Sequence, residues 1–253
     1  MKFDLKMIKK NIPNNIVKSI EKLSLTKNQY AAFDLDNTLL IGDIGEAVFA
    51  LLVKKKIVKN FGWKDYLELI EINREDAYFK VIEVMNNLEL KIVENITKEI
   101  IKTSDVNIEI EGYKIPIPKP NPIMQSIVTF LNASGIEVNV ITASNRISAE
   151  IVCWEYFDIP ANKVFGARVD IAYNKKLRVK FNEIPYGEKK VEVLKKEFIT
   201  KPVFTGGDGI WDRFLLSYTK QDGVRLWVGN NSDYKMLKEK YYKNLEFYQI
   251  LSE

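Results

Sequence analysis

The apolar run Tyr30-Ala31-Ala32-Phe33 stops at two carboxylates, Asp34 and Asp36, and this junction restricts the fold more than any other feature of the chain. Consecutive apolar residues without alternation describe a strand covered on both faces, as strands are in parallel sheets flanked by helices. Val138 to Ile141, Val203-Phe204 and Val224 to Val228 also read as strands, interrupted only by Asn139 and Arg225. Between them lie helical spacings. Asn121-Pro122 offers an N-cap with proline in the first turn, Met124, Ile127, Val128 and Leu131 follow on one face, and Gly135 closes the helix. A helix from about Lys189 carries Val191, Leu194 and Phe198, a short helix follows Asp212, and a terminal helix starts at Ser232. Its stripe of Tyr234, Leu237, Tyr241, Leu245 and Tyr248 is read as packing. The first 28 residues read as one amphipathic helix with Ile16, Ile20 and Leu23 on a face, and 169–181 as a β-hairpin. Strands alternating with helices predict an α/β fold, a doubly wound parallel sheet of Rossmann-like type whose ligand site lies beyond the carboxyl ends of the strands.

The block 44–118 interrupts this alternation. It carries helical patterns at Tyr66 to Ile72 and Tyr78 to Met85, a lysine cluster at 54–56, and a proline-rich exit at Pro116, Pro118, Pro120 and Pro122. The expected organisation is a catalytic core of residues 1–43 and 119–253, with a mostly helical cap inserted at 44–118.

The chain has no histidine, which removes Ser-His-Asp and Cys-His hydrolases, helical zinc-protease motifs and His-based proton shuttles. The chemistry must therefore use carboxylates, lysines or hydroxyls. The single cysteine, Cys153, cannot form an internal disulfide and reads as a buried small hydrophobe. A net charge of +4, with only six arginines among 38 basic residues, does not fit a nucleic-acid groove but suits an anionic small substrate. The longest wholly apolar run, Ala47 to Val53, is too short to span a bilayer, and the lysine-rich N-terminus lacks a secretory pattern. The expectation is a cytoplasmic protein without a membrane or nucleic-acid partner; the sequence is silent on oligomeric state.

Asp34 and Asp36 are two apart, so on an extended chain they point to the same side. A second acidic pair, Asp208 and Asp212, follows a later strand in Gly206-Gly207-Asp208-Gly209, where glycines allow close backbone approach. If the strands are parallel neighbours, four carboxylates converge on one crevice and call for a cation, and an oxygen-only ligand set favours magnesium. Thr142 ends another strand and is followed by Ala143 and Ser144, so that its hydroxyl and the next amides become donors for an oxyanion. A lysine at 189 or 190 opens a helix and offsets phosphoryl charge.

These four segments, in this order, resemble the motifs of the haloacid dehalogenase superfamily of phosphotransferases. Its Asp-x-Asp-x-Thr motif is matched by Asp34, Asp36 and Thr38, its strand-ending hydroxyl by Thr142, and its Gly-Asp-x-x-x-Asp motif by Gly207, Asp208 and Asp212. The family lysine is assigned to Lys190, with Lys189 the alternative. The resemblance implies that Asp34 attacks phosphorus to form an aspartyl-phosphate, while Asp36 protonates the leaving alcohol and later takes a proton from water. It implies magnesium on the Asp34 carboxylate, the Asp36 backbone carbonyl and the Asp208 carboxylate, with Asp212 completing the acidic set and orienting water or the lysine.

The long insert and the Asn of Asp34-Leu35-Asp36-Asn37-Thr38 resemble the phosphoserine phosphatase and phosphorylcholine phosphatase subgroup. The acidic pair usual in phosphoserine phosphatases is replaced here by Gly42-Asp43 and then Glu46. Glu46, with Trp63, Tyr66 and Tyr78, could hold a quaternary or primary ammonium, and Arg74 could instead bind a substrate carboxylate. Thr38, Ala143 and Ser144 complete the expected substrate contacts. The function expected is a magnesium-dependent phosphomonoester hydrolase. The alternatives are a phosphomutase of the same superfamily or a non-catalytic binding protein on this fold.

Overall fold

The structure, a computed structural model, describes residues 5–23, 29–180, 184–242 and 247–250. Six strands form one sheet: β1 (Gln29–Phe33), β6 (Ile136–Asn145), β7 (Val164–Ala167), β10 (Phe204–Gly207), β11 (Val224–Val228) and β12 (Tyr248–Ile250). Their order is β12-β11-β10-β1-β6-β7, and every ladder from β12 to β6 is parallel. From β1 the chain builds outward through β6 and β7, then returns to the other side of β1 with β10. A sheet of this order opens a crevice at the carboxyl end of β1, where connections leave in opposite directions.

The helices that alternate with these strands are α1 (Leu5–Lys10), α2 (Asn14–Leu23), α7 (Pro122–Ala133), α8 (Arg146–Phe157), α9 (Lys189–Glu197), α10 (Arg213–Tyr218) and α11 (Asn231–Tyr241). Helix α7 starts as its sequence dictates, with the Asn121 side chain accepting from the Ile123 and Met124 amides and Pro122 in the first turn. Cys153 is buried on α8.

Contacts divide the chain into two compact units. The first comprises 1–39, 120–141 and 187–253, and the second 40–119 and 142–186. In the second, helices α3 (Ile44–Lys54), α4 (Trp63–Ile72), α5 (Arg74–Glu83) and α6 (Leu90–Lys102) are joined by two hairpins, β3 (Asn107–Ile110) with β4 (Tyr113–Pro116) and β8 (Val169–Ile171) with β9 (Leu177–Val179). The short strands β2 (Leu40–Ile41) and β5 (Lys119–Pro120) also form.

Some sequence readings need correction. The N-terminal helix is broken, because Pro13 has no amide to donate and instead supplies the carbonyl that opens α2. The hairpin β3–β4 escaped the pattern reading. Its two-residue turn, Glu111-Gly112, has φ of 52° and 85°, the doubly left-handed geometry that matches strand twist. Tyr248 is not on the terminal helix but on β12, opposite Leu226, and Leu245 and Phe181 lie outside the described residues. Strand β10 continues through Gly206-Gly207, where side-chain hydrophobicity gives no signal.

Candidate active site

The site grows from the end of β1. The Asp34 amide still donates to the Gly206 carbonyl, at 3.0 Å, which locks the residue to the sheet. The chain then turns sharply through 35–39, with Asn37 at φ 57°, a left-handed conformation that asparagine tolerates. This turn buries Asp34 and Thr38 and leaves Asp36 half-buried. The extended geometry that would align Asp34 with Asp36 ends at Phe33, so Asp36 belongs to the loop.

Strand β10 approaches β1 closely because it ends in glycines. A Cβ at Gly206 would lie 2.6 Å from the Phe33 ring, and one at Gly207 would lie 2.5 Å from the Asp212 Cβ. Both contacts are far inside van der Waals range. Glycine at 207 therefore lets the chain fold back and lay Asp212 over the strand end, where its Oδ2 accepts the Asp208 and Gly209 amides at 3.2 Å each.

Lys190, in the first turn of α9, reaches into this arrangement. Its Nζ donates to Asp34 Oδ1 at 2.5 Å and to Asp212 Oδ1 at 2.6 Å, and the three side chains are almost fully buried. Lys189 is only half-buried, so the geometry selects Lys190 as the lysine of the cluster. The Thr38 hydroxyl lies 3.4 Å from both Asp34 Oδ2 and Asp208 Oδ1, between the two carboxylates. Carboxylate oxygens of Asp34, Asp208 and Asp212 all come within 4.8 Å of one another.

Burial pushes the Asp34 carboxyl up to about 7; Lys190 opposes this, while the charges of Asp212 and Asp36 add to it. Asp208 is raised well above the usual carboxylate range, by burial first and then by Asp212 and Asp34. Burial pulls the Lys190 ammonium down, but the carboxylates of Asp212 and Asp34 outweigh that and hold it above its ordinary value. One buried cation thus serves three crowded carboxyl groups. The excess negative charge, presented only by oxygens, suits a hard divalent cation, and the residues present fit magnesium.

Thr142, Ala143 and Ser144 lie on the last part of β6, in the second unit. The Ser144 amide, expected from the sequence to face an oxyanion, donates to Thr142 Oγ1 at 3.0 Å. The hydroxyl competes locally for the backbone, as threonine does in tight turns.

The second unit holds its own polar cluster. Glu46 Oε1 accepts the Tyr66 hydroxyl at 2.7 Å, and Asp43 caps α3 through the Glu46 amide at 2.8 Å. Burial raises the Tyr66 hydroxyl far above its usual value, reinforced by Glu46 and Asp43. Tyr78 is raised by burial and by Asp43 and Glu46, while Arg74 lowers it. Its ring lies 5.6 Å from that of Tyr186. Trp63 and Tyr66, read from the sequence as companions of Glu46, are both buried against Phe49 and against each other. Arg74 is exposed at the start of α5. Asp43 and Tyr186 were not singled out from the sequence as members of this cluster. Asp43 was readable as a cap before an apolar helix, whereas Tyr186 gave no signal.

Comparison with known proteins bears on this geometry. The family model of haloacid dehalogenase-like hydrolases matches residues 31–216, from β1 through the Asp212 turn. The chain belongs to this family. No curated protein matches it. Among solved structures, a functionally unknown protein from Anaerococcus prevotii is similar at 17% identity, covering 92% of this chain and 90% of that one, with a TM-score of 0.68. A hydrolase of the haloacid dehalogenase family from Salmonella enterica is similar at 14% identity, covering 94% and 77%, with a TM-score of 0.57. A phosphoserine phosphatase holding an analogue of its phospho-aspartyl intermediate is similar at 18% identity, covering 89% and 94%, with a TM-score of 0.56. At these identities the likeness concerns the haloacid dehalogenase fold.

Proposed function

We propose that the chain hydrolyses small phosphomonoesters through an aspartyl-phosphate on Asp34. The observation that carries this reading is the Lys190 ammonium held between Asp34 and Asp212, with Asp208 beside them, at the carboxyl end of β1. An Asp34 oxygen forms a bond to phosphorus as the ester P–O bond breaks, and Asp36 gives its proton to the departing alkoxide. Water then attacks the phosphorus of the aspartyl-phosphate and Asp36 takes its proton. The Asp34–phosphoryl bond breaks to release inorganic phosphate and restore the carboxylate. Lys190 holds the Asp34 carboxylate in one orientation and offsets phosphoryl charge, and Asp212 holds Lys190 through Oδ1 while two backbone amides fix its Oδ2. Thr38 restrains Asp34 and Asp208 from the side.

The residues for magnesium are the carboxylates of Asp34 and Asp208 and the backbone carbonyl of Asp36, with Asp212 as the neighbouring acidic group. When bound, the ion supplies charge neutralisation for the phosphoryl oxygens. We assign Thr142, Ala143 and Ser144 to the phosphoryl group and residues 44–118 to the cap. Within the cap, Glu46 is the proposed reader of a substrate ammonium, supported by Asp43 as a second carboxylate among tyrosine hydroxyls, and Arg74 the proposed reader of a carboxylate. Phosphocholine-like and phosphoserine-like esters are the corresponding substrates.

Magnesium-dependent release of phosphate from an aryl phosphate tests the reading. Turnover lost on chelation and restored by magnesium supports it, and turnover undiminished after exhaustive chelation contradicts it.

A further inference from the structure

The outer face of helices α6 and α8 carries a feature that the phosphatase chemistry does not use. The two helices pack through their inner sides, burying Val93, Ile96 and Ile100 of α6 and Ala149, Val152 and Cys153 of α8. On the outside they leave an open groove of about 390 Å³. Each helix contributes a stripe with the same spacing, Lys98, Ile101 and Lys102 from α6, and Ile151, Trp154 and Glu155 from α8. Residues spaced i, i+3, i+4 share one helical face, so each stripe is continuous. Trp154 is 60% exposed, and tryptophan is among the residue types that most often carry the binding energy of an interface. The flanks differ in sign. The α6 side is basic, and the α8 side is acidic through Glu155 and Glu150, the latter also held by Arg146 at 2.5 Å.

We propose that this face is a self-association surface whose occupant is a second copy of the chain. An isologous two-fold contact brings the same patch of both copies together, which sets α6 of one copy against α8 of the other. Lys98 and Lys102 then face Glu155 of the partner copy, and the reciprocal pairing repeats on the other side of the axis. Trp154 and the two isoleucines of each copy meet at the centre and leave water. An acidic partner would leave Glu155 facing like charge, and a basic partner would do the same to the lysines. A second copy matches both flanks at once.

Sedimentation equilibrium over about 0.1 to 100 μM protein tests this, a range that spans micromolar dissociation constants. A monomer–dimer equilibrium is expected for the unaltered chain, weakened roughly thirtyfold or more by Trp154→Ser. Lys102→Glu and Glu155→Lys should each weaken the dimer, and the double variant should restore it, because the swapped charges face each other again across the axis. Circular dichroism confirms that these surface variants remain folded. A chain that stays monomeric throughout the range overturns the proposal. So does a dimer indifferent to Trp154→Ser, or one that the charge swap fails to rescue.

Discussion

The Asp34–Lys190–Asp212 cluster of the first unit is buried and the Glu46–Tyr66–Tyr78 cluster of the second half-buried; both are polar, yet they are held by different means. In the first, the ionised side chains are fixed by main chain. Asp34 is locked to β10 by its amide, Asp212 is caught by two amides, and Lys190 stands in the first turn of α9. In the second, Glu46 is held by a side-chain hydroxyl from another helix, and the surrounding rings pack on Phe49. Main-chain anchoring fits a site whose chemistry tolerates little displacement, whereas side-chain anchoring can be altered by a few substitutions without disturbing the fold. The expectation is therefore large, substrate-independent losses from changes in the first cluster and smaller, substrate-dependent ones from changes in the second.

The largest effect expected is that of Asp34→Asn, which removes the proposed nucleophile and should lower kcat by about a thousandfold or more for every ester, measured by phosphate release. Lys190→Met comes next. It leaves two buried carboxylates without their ammonium and should cost about 3–5 kcal/mol of stability by chemical denaturation, as well as activity. Gly207→Ala sharpens the comparison, because it alters no charge. The added methyl displaces Asp212, and kcat should fall by roughly tenfold or more with KM less affected, a split that steady-state kinetics resolves.

Smaller and selective effects belong to the second cluster. Glu46→Gln should raise KM for phosphocholine or phosphoserine roughly tenfold and leave an uncharged aryl phosphate nearly unchanged. Arg74→Ala should penalise phosphoserine and spare phosphocholine. Uniform effects of both on all esters would erase the distinction between the two clusters.

A pH experiment separates them thermodynamically. The folded-state pKa of Asp34 is raised from 3.8 to about 7, so between these values the unfolded chain ionises while the folded one resists. The metal-free protein therefore loses stability through this group as pH rises across that window. A cation bound to the ionised carboxylate reverses the effect, and magnesium should raise Tm more at about pH 8 than at about pH 5. Equal shifts at both pH values would contradict the assignment of Asp34 as a ligand.

The same contrast explains what could be read from the sequence. Strand β1 was legible because burial on both faces leaves the apolar run Tyr30 to Phe33, β11 because four of its five residues are apolar with only Arg225 between them, and α7 because Asn121-Pro122 is a local start signal. The clustering of Asp34, Lys190, Asp208 and Asp212 was legible because each lies near a strand end or helix start, where local sequence decides position. The split of the N-terminal helix, the β3–β4 turn at Glu111-Gly112 and the placement of Tyr248 on β12 depend on single backbone conformations or on a distant pairing partner. The Tyr78–Tyr186 contact joins residues far apart in the chain, and no short-range pattern encodes it. The Ser144 amide illustrates a local competition that residue type alone left open, since the Thr142 hydroxyl captures it.

The covalent role of Asp34 is the centre of this account, and trapping the intermediate tests it most directly. Acid quenching during turnover of a phosphomonoester, followed by borohydride reduction and peptide mass spectrometry, converts an aspartyl-phosphate into homoserine at the modified position. The account predicts that conversion at Asp34, dependent on substrate and magnesium. Conversion at another residue, or none at Asp34 while turnover proceeds, would contradict it.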